Sequence, residues 1–146
     1  MTVRGTRLAA ALLVGAGVGA FAPVASAAPL PLVGTQWRFE SSGVARTAPV
    51  KYTGSPAFFR IDRERGGGGN DGCNVFGMNA EVKGDRVTFS GLVSTLRMCY
   101  VPGAGEQFRK AFSGPRTVTI TGNRLQVSDG PRGYWNFVAV APGPAR

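Results

Sequence analysis

The chain has no histidine. Histidine is the usual general base near neutral pH and a common zinc ligand. Without it, neither a Ser-His-Asp nor a Cys-His catalytic arrangement can be assembled. Cysteine is nearly as scarce: Cys73 and Cys99 are the two among 146 residues. In an exported chain such a pair favours a disulfide over a metal site or a catalytic thiol. Acidic side chains number eight, against 17 Lys and Arg. Glycoside hydrolysis needs two carboxylates facing each other across a cleft, and no spacing among these eight selects a pair. Asp62, Glu64 and Asp71 offer oxygens to a metal, but Arg60, Arg63 and Arg65 stand among them, which reads as solvated ion pairs. The apolar segments beyond residue 27 are short, so no membrane-spanning segment is expected there.

What is present begins with a leader. Arg4 and Arg7 precede an uncharged run of Ala, Leu, Val and Gly over residues 8–21, and Ala25-Ser26-Ala27 has the small residues of an A-x-A cleavage site. Residues 1–27 read as a secretory signal, and the mature chain is expected to begin at Ala28. Cleavage removes two arginines and no acid from the formal +9, leaving +7. The remainder is the size of one domain, residues 28–141, with a short tail over 142–146 that has nothing to bury. With 22 Gly and 10 Pro spread among short apolar segments, a sheet protein with many turns is expected.

The alternation of side chains places the strands. Over 35–40, Trp37 and Phe39 share one face, and Gln36, Arg38 and Glu40 the other. A short strand fits 50–52, and another fits 57–63 with Phe59 and Ile61 inward. Residues 74–82 and 86–90 pair across a Lys83-Gly84-Asp85 turn. The segment 91–99 is read as a crossing that carries Cys99 back to Cys73. One helix is expected over 105–113, where Phe108, Ala111 and Phe112 form a single apolar stripe. Strictly alternating runs at 117–121 and 124–128 flank Gly122-Asn123, a two-residue hairpin turn with glycine first, and a last strand covers 134–140.

The run Gly66-Gly67-Gly68-Gly69-Asn70-Asp71-Gly72 satisfies G-x-G-x-x-G, but dinucleotide binding needs a helix after it, and here a strand follows. It also fits one unit of a calcium-binding glycine repeat, which works only in stacked copies. The expectation is a tight loop ahead of a pinned cysteine, with no cofactor and no metal ion.

Larger motifs carry a resemblance. Leu32-Val33-Gly34-Thr35-Gln36-Trp37, Gly72-Cys73-Asn74-Val75-Phe76 and Thr95-Leu96-Arg97-Met98-Cys99, followed by Glu106 and the Gly122-Asn123-Arg124-Leu125 turn, resemble the META domain, also called HslJ-like. The likeness spans nearly all of the mature chain and marks Gly34, Thr35, Trp37, Gly72, Asn74, Thr95 and Glu106 as family motif residues. Met78 and Ala80 stand where the family often has Gly and Tyr, and Arg97-Met98 replaces a more usual Met-Ala. The resemblance implies a compact, mostly antiparallel β-domain, barrel-like, with one short helix and a Cys73–Cys99 bond. It implies an exported or envelope-associated protein of undefined biochemical role and no catalytic residues.

The expected function is therefore non-catalytic: binding a partner or protecting the envelope under stress, in a secreted or periplasmic, monomeric protein. A carboxylate-based hydrolase is the alternative from another class. An inhibitor of a foreign enzyme is a third, which would use a protruding loop over 63–71. The excess charge points to an anionic envelope component or an acidic protein rather than a nucleic acid, since no nucleic-acid module is present. Arg60, Arg63, Arg65, Arg86 and Arg97 are the candidate contacts, with Phe58, Tyr100 and Tyr134 as possible aromatic neighbours.

Overall fold

A computed structural model of the chain describes residues 28–63, 66–101 and 103–141. The expected leader, the tail and Arg65 lie outside them. Among the described residues nine antiparallel strands follow one another: β1 (Gln36–Gly43), β2 (Val50–Lys51), β3 (Phe58–Ile61), β4 (Gly66–Asn70), β5 (Val75–Lys83), β6 (Arg86–Ser94), β7 (Gly114–Thr121), β8 (Arg124–Ser128) and β9 (Tyr134–Ala139). Each pairs with its sequence neighbour from β3 to β9. Strand β1 closes the sheet: one edge pairs with β9, Phe39 opposite Phe137, and the other with β3, Trp37 opposite Phe59. The result is an eight-stranded antiparallel barrel, with the two-residue β2 added beside the far half of β1. Closure leaves no long sheet edge, the usual liability of a β protein.

Among the described residues a single α-helix, α1 (Gly105–Arg109), continues as a 3-10 turn over Lys110–Phe112 and sits in one mouth of the barrel. Its predicted stripe is the buried face: Phe108, Ala111 and Phe112 are almost wholly inaccessible. Phe112 meets Phe59, Phe76 and Phe89 at ring-centroid distances of 4.8, 5.4 and 5.4 Å. Phe108 meets Phe39 and Phe76 at 5.3 and 5.6 Å. Edge-on, tilted and stacked pairs of this kind each add about 0.5–1.5 kcal/mol beyond the area they bury. Trp135 Nε1 donates to Gln107 O at 2.8 Å and binds the plug to β9.

The glycine run is not a loop. Gly66–Asn70 is strand β4, between β3 and β5, despite glycine's poor strand propensity. A Cβ on Gly69 would strike Phe58 O, one on Gly67 would lie 2.7 Å from Arg60 O, and one on Gly68 2.6 Å from Phe76 O. Alternate glycines thus press the backbone of β4 against each neighbour. Close approach, and not turning, is what the run supplies. Strand β6 also runs further than expected, to Ser94, and the connection over 95–101 leaves Leu96 and Met98 in solvent. Among the described residues no helix is long and apolar enough to cross a membrane.

Candidate functional site

Between β4 and β5 the chain reverses through Asp71, Gly72, Cys73 and Asn74. Asn70 Oδ1 accepts the Gly72 N–H at 2.8 Å. The Asp71 carboxylate is 1 % exposed. Its Oδ1 accepts the N–H groups of Cys73 and Asn74 at 3.0 and 2.6 Å, and its Oδ2 takes Arg109 of α1 at 2.6 Å. Asp71 O accepts the Ala104 N–H at 2.6 Å. Gly72 has φ +91°, and a Cβ there would lie 2.6 Å from Ser55 O. Cys73 is bonded to Cys99, Cα–Cα 5.9 Å. Asn74 Oδ1 accepts the Arg97 N–H at 2.7 Å and the Thr95 hydroxyl at 3.0 Å. The turn therefore fastens the segment 95–99 and the helix to the barrel mouth. Both oxygens of Asp71 are engaged and buried, so this acid holds backbone rather than substrate. Burial raises the Tyr52 hydroxyl pKa above its ordinary value, and the charge of Asp71 raises it further.

A broad concavity lies on the barrel wall. Outward side chains of β1, β9, β8 and β7 form the floor of an open groove of about 930 Å³, bounded by residues 49–56. Its cations are Arg38, Lys51 and Arg124; its one carboxylate is Glu40, which takes Arg124 at 2.8 Å. Among the described residues neither Arg38 nor Lys51 has a carboxylate partner. Gln126, Asn136 and Ser41 cross the floor as a hydrogen-bonded row, 3.0 Å at each step. The groove presents a net positive charge beside amide donors and acceptors, which suits a ligand bearing carboxylate or phosphate. Among the described residues no group of three acidic or cysteine side chains is placed to hold a metal ion.

A family model for the META domain matches residues 30–141. The chain belongs to the META domain family. No curated protein matches it. Two solved structures share the fold. An NMR structure of a protein from Burkholderia xenovorans is 17 % identical, covers 76 % of this chain and 85 % of its own, and superposes with a TM-score of 0.61. A second NMR structure is 20 % identical, covers 73 % and 90 %, and has a TM-score of 0.55.

In this META domain the motif residues hold architecture. Gly34, at φ +88°, turns the chain into β1, and its N–H donates to Ile61 O at 2.8 Å. The Thr35 hydroxyl donates to Pro31 O at 2.6 Å, and Trp37 is wholly buried. Gly72, Asn74 and Thr95 build the reversal described above. Glu106 is exposed and meets Lys110 at 3.4 Å. Met78 and Ala80, at the departures from the family pattern, are core residues rather than a surface.

The arginines singled out by sequence do not converge. Arg60 lies outward on β3, 3.1 Å from Asp62, and Arg63 is exposed in the turn that follows. Arg86 opens β6 opposite Lys83. Arg97 follows the other end of β6, by the helix mouth. Sequence reading missed the cations of the groove: Arg38 and Arg124 meet through the pairing of β1 with β9 and β9 with β8, and Lys51 joins them through the pairing of β1 with β2. It also missed Arg116, which is 8 % exposed. Arg116 donates to Pro115 O and Lys110 O at 2.9 Å each and lies 5.5 Å from the Trp135 ring centroid. It shares the inward parity of Val118, a sign the sequence did carry.

Proposed function

We propose that this META domain is an exported, non-catalytic binding module whose partner is an anionic envelope component or an acidic protein, held in the wall groove. The observation that carries the reading is the charge of that groove, three cations against one carboxylate that is already paired. Arginine's planar fork recognises carboxylate and phosphate in two-point contacts, and lysine adds a point charge. The floor amides supply further hydrogen bonds to a hydroxylated or peptide ligand. A single carboxylate in the groove gives no support to the two-acid hydrolase reading. The inhibitor reading needed a protruding loop at 63–71, and residues 66–70 instead run inside the sheet.

The test is capture from envelope extracts with the mature protein at low and high salt, beside an Arg38→Glu/Lys51→Glu variant. The wild type should retain anionic material that salt releases, as the Debye length falls from about 10 Å at 0.1 M towards 3 Å at 1 M. The variant should retain little. Equal capture by both, or retention of a neutral partner at all salt concentrations, would refute it.

A further inference from the structure

The connection between β6 and α1 exposes its large apolar side chains almost completely. Leu96, Met98 and Tyr100 are each 94 % exposed or more, and Val93 and Val101 stand beside them in the chain at 70 % and 56 %. A single exposed apolar residue needs no explanation, but five within nine positions are a concentration of the kind that marks a contact surface. The segment is also firmly held: Asn74 grips Thr95 and the Arg97 backbone, and Cys99 is bonded to Cys73. A pinned segment spares most of the backbone-ordering cost when its side chains are buried elsewhere, leaving the rotamer cost of the side chains themselves.

The charges around it select the occupant. Residues 86–105 contain no carboxylate, the exposed Glu106 that follows is paired with Lys110, and the exposed Arg97 lies between Leu96 and Met98. The whole chain is strongly basic. Separate knobs of Leu, Met and Tyr with an interspersed Arg fit the boundary of a lipid bilayer. The apolar tips enter the acyl region, the tyrosine hydroxyl stays at the headgroups, and the arginine meets phosphate. A protein partner would have to offer one complementary socket per knob, whereas lipid offers all of them without preformed shape. A second copy of this basic chain would bring like charge to the contact.

We infer that the segment 93–101 is a lipid-docking element that seats the helix mouth of the barrel on an anionic membrane surface, leaving the wall groove free. Docking is superficial: the tips enter the interface and nothing spans it.

The test uses vesicles of phosphatidylcholine with and without phosphatidylglycerol. The mature protein should sediment with the anionic vesicles, and Leu96→Ser/Met98→Ser/Tyr100→Ser should weaken this on the order of tenfold or more. Equal binding by that variant would show attraction by net charge alone and overturn the proposal. A Leu96→Trp variant provides a second readout, since Trp37 and Trp135 are buried. Its added fluorescence should be quenched by bromine-labelled acyl chains, while that of Lys83→Trp, at a hairpin beyond the other end of β6, should not. Absence of quenching at position 96 would overturn the proposal. So would a stable dimer in sedimentation analysis that the triple Ser variant abolishes, because the occupant would then be a second copy. Arg38→Glu/Lys51→Glu lowers the net charge by four and weakens vesicle attraction at a distance, but the acyl-chain quenching of Leu96→Trp in the vesicle-bound fraction should persist in that background, which separates the two surfaces.

Discussion

Replacement of Asp71 tests the turn on which the helix, the disulfide and the segment 95–99 depend. Asp71→Ala removes the acceptor for two backbone N–H groups and leaves Arg109 without its partner. Hydrogen bonds to a charged group are worth about 1.5–3 kcal/mol each, and breaking a buried ion pair from one side costs about 3–5 kcal/mol. These overlap, because the same carboxylate makes all the contacts, and Arg109 retains some solvent at 28 % exposure. The expected loss is therefore about 3–5 kcal/mol rather than their sum, a large share of a typical 5–15 kcal/mol stability. For a domain of this size that lowers Tm by roughly 12–20 °C. Asp71→Asn keeps an oxygen for the Cys73 and Asn74 N–H groups and loses the charge, so it should cost less, about 1–3 kcal/mol. Urea unfolding of both variants, with Arg109→Ala and the double variant completing a cycle, measures each part. The Asp71–Arg109 coupling should lie within about 0.5–3 kcal/mol. Asp71→Ala within 1 kcal/mol of wild type, or a coupling of zero, would refute this account of the turn.

Three further outcomes follow from the same geometry. The Cys73–Cys99 bond closes a separation of 26 residues, so Cys73→Ser should lower stability by about 3.5 kcal/mol in the chain-entropy model, read by urea unfolding with and without reductant. Gly69→Ala should cost about 1–3 kcal/mol or more, because its Cβ meets the backbone of Phe58. Gly66→Ala, whose Cβ finds its nearest atom at 3.8 Å, should cost under about 1 kcal/mol; equal effects in thermal melts would show that β4 needs no close approach. The Tyr52 hydroxyl pKa is raised above 10.0 in the fold, so the folded state holds that proton more tightly than the unfolded one. Its contribution is complete below about pH 10 and is lost as pH rises through the raised value. Tyr52→Phe should flatten the alkaline limb of a stability-against-pH curve, and an unchanged limb would contradict the assignment.

Where the pattern was local, sequence gave the structure directly. Alternation in Trp37 and Phe39, in Phe59 and Ile61, and across the Gly122-Asn123 turn placed β1, β3, β7 and β8 with their inward faces. The Phe108, Ala111 and Phe112 stripe placed the plug. The glycine run misled because composition reads as flexibility, whereas its cause is the carbonyls of Arg60, Phe58 and Phe76 pressing from two sides. No local feature announces those neighbours. Arg116 was legible in parity but lay just outside the strand as drawn from 117. The groove was not legible at all. Arg38 and Arg124 meet through the partners of Val138, one on each side of β9, and that juxtaposition exists only once the barrel closes. The segment 91–99 was read only as a crossing back to Cys73, and the full exposure of Leu96 and Met98 appears only in the fold.

The measurement that bears most directly on the proposed function is a backbone amide NMR titration of the mature domain with a short polyanionic oligomer. If the wall groove is the binding surface, shifts should concentrate at Arg38, Lys51, Arg124, Gln126 and Asn136, shrink as salt is added, and vanish in Arg38→Glu/Lys51→Glu. Shifts confined to Arg60, Arg63 and Arg86, or a spectrum unchanged at every concentration, would contradict it.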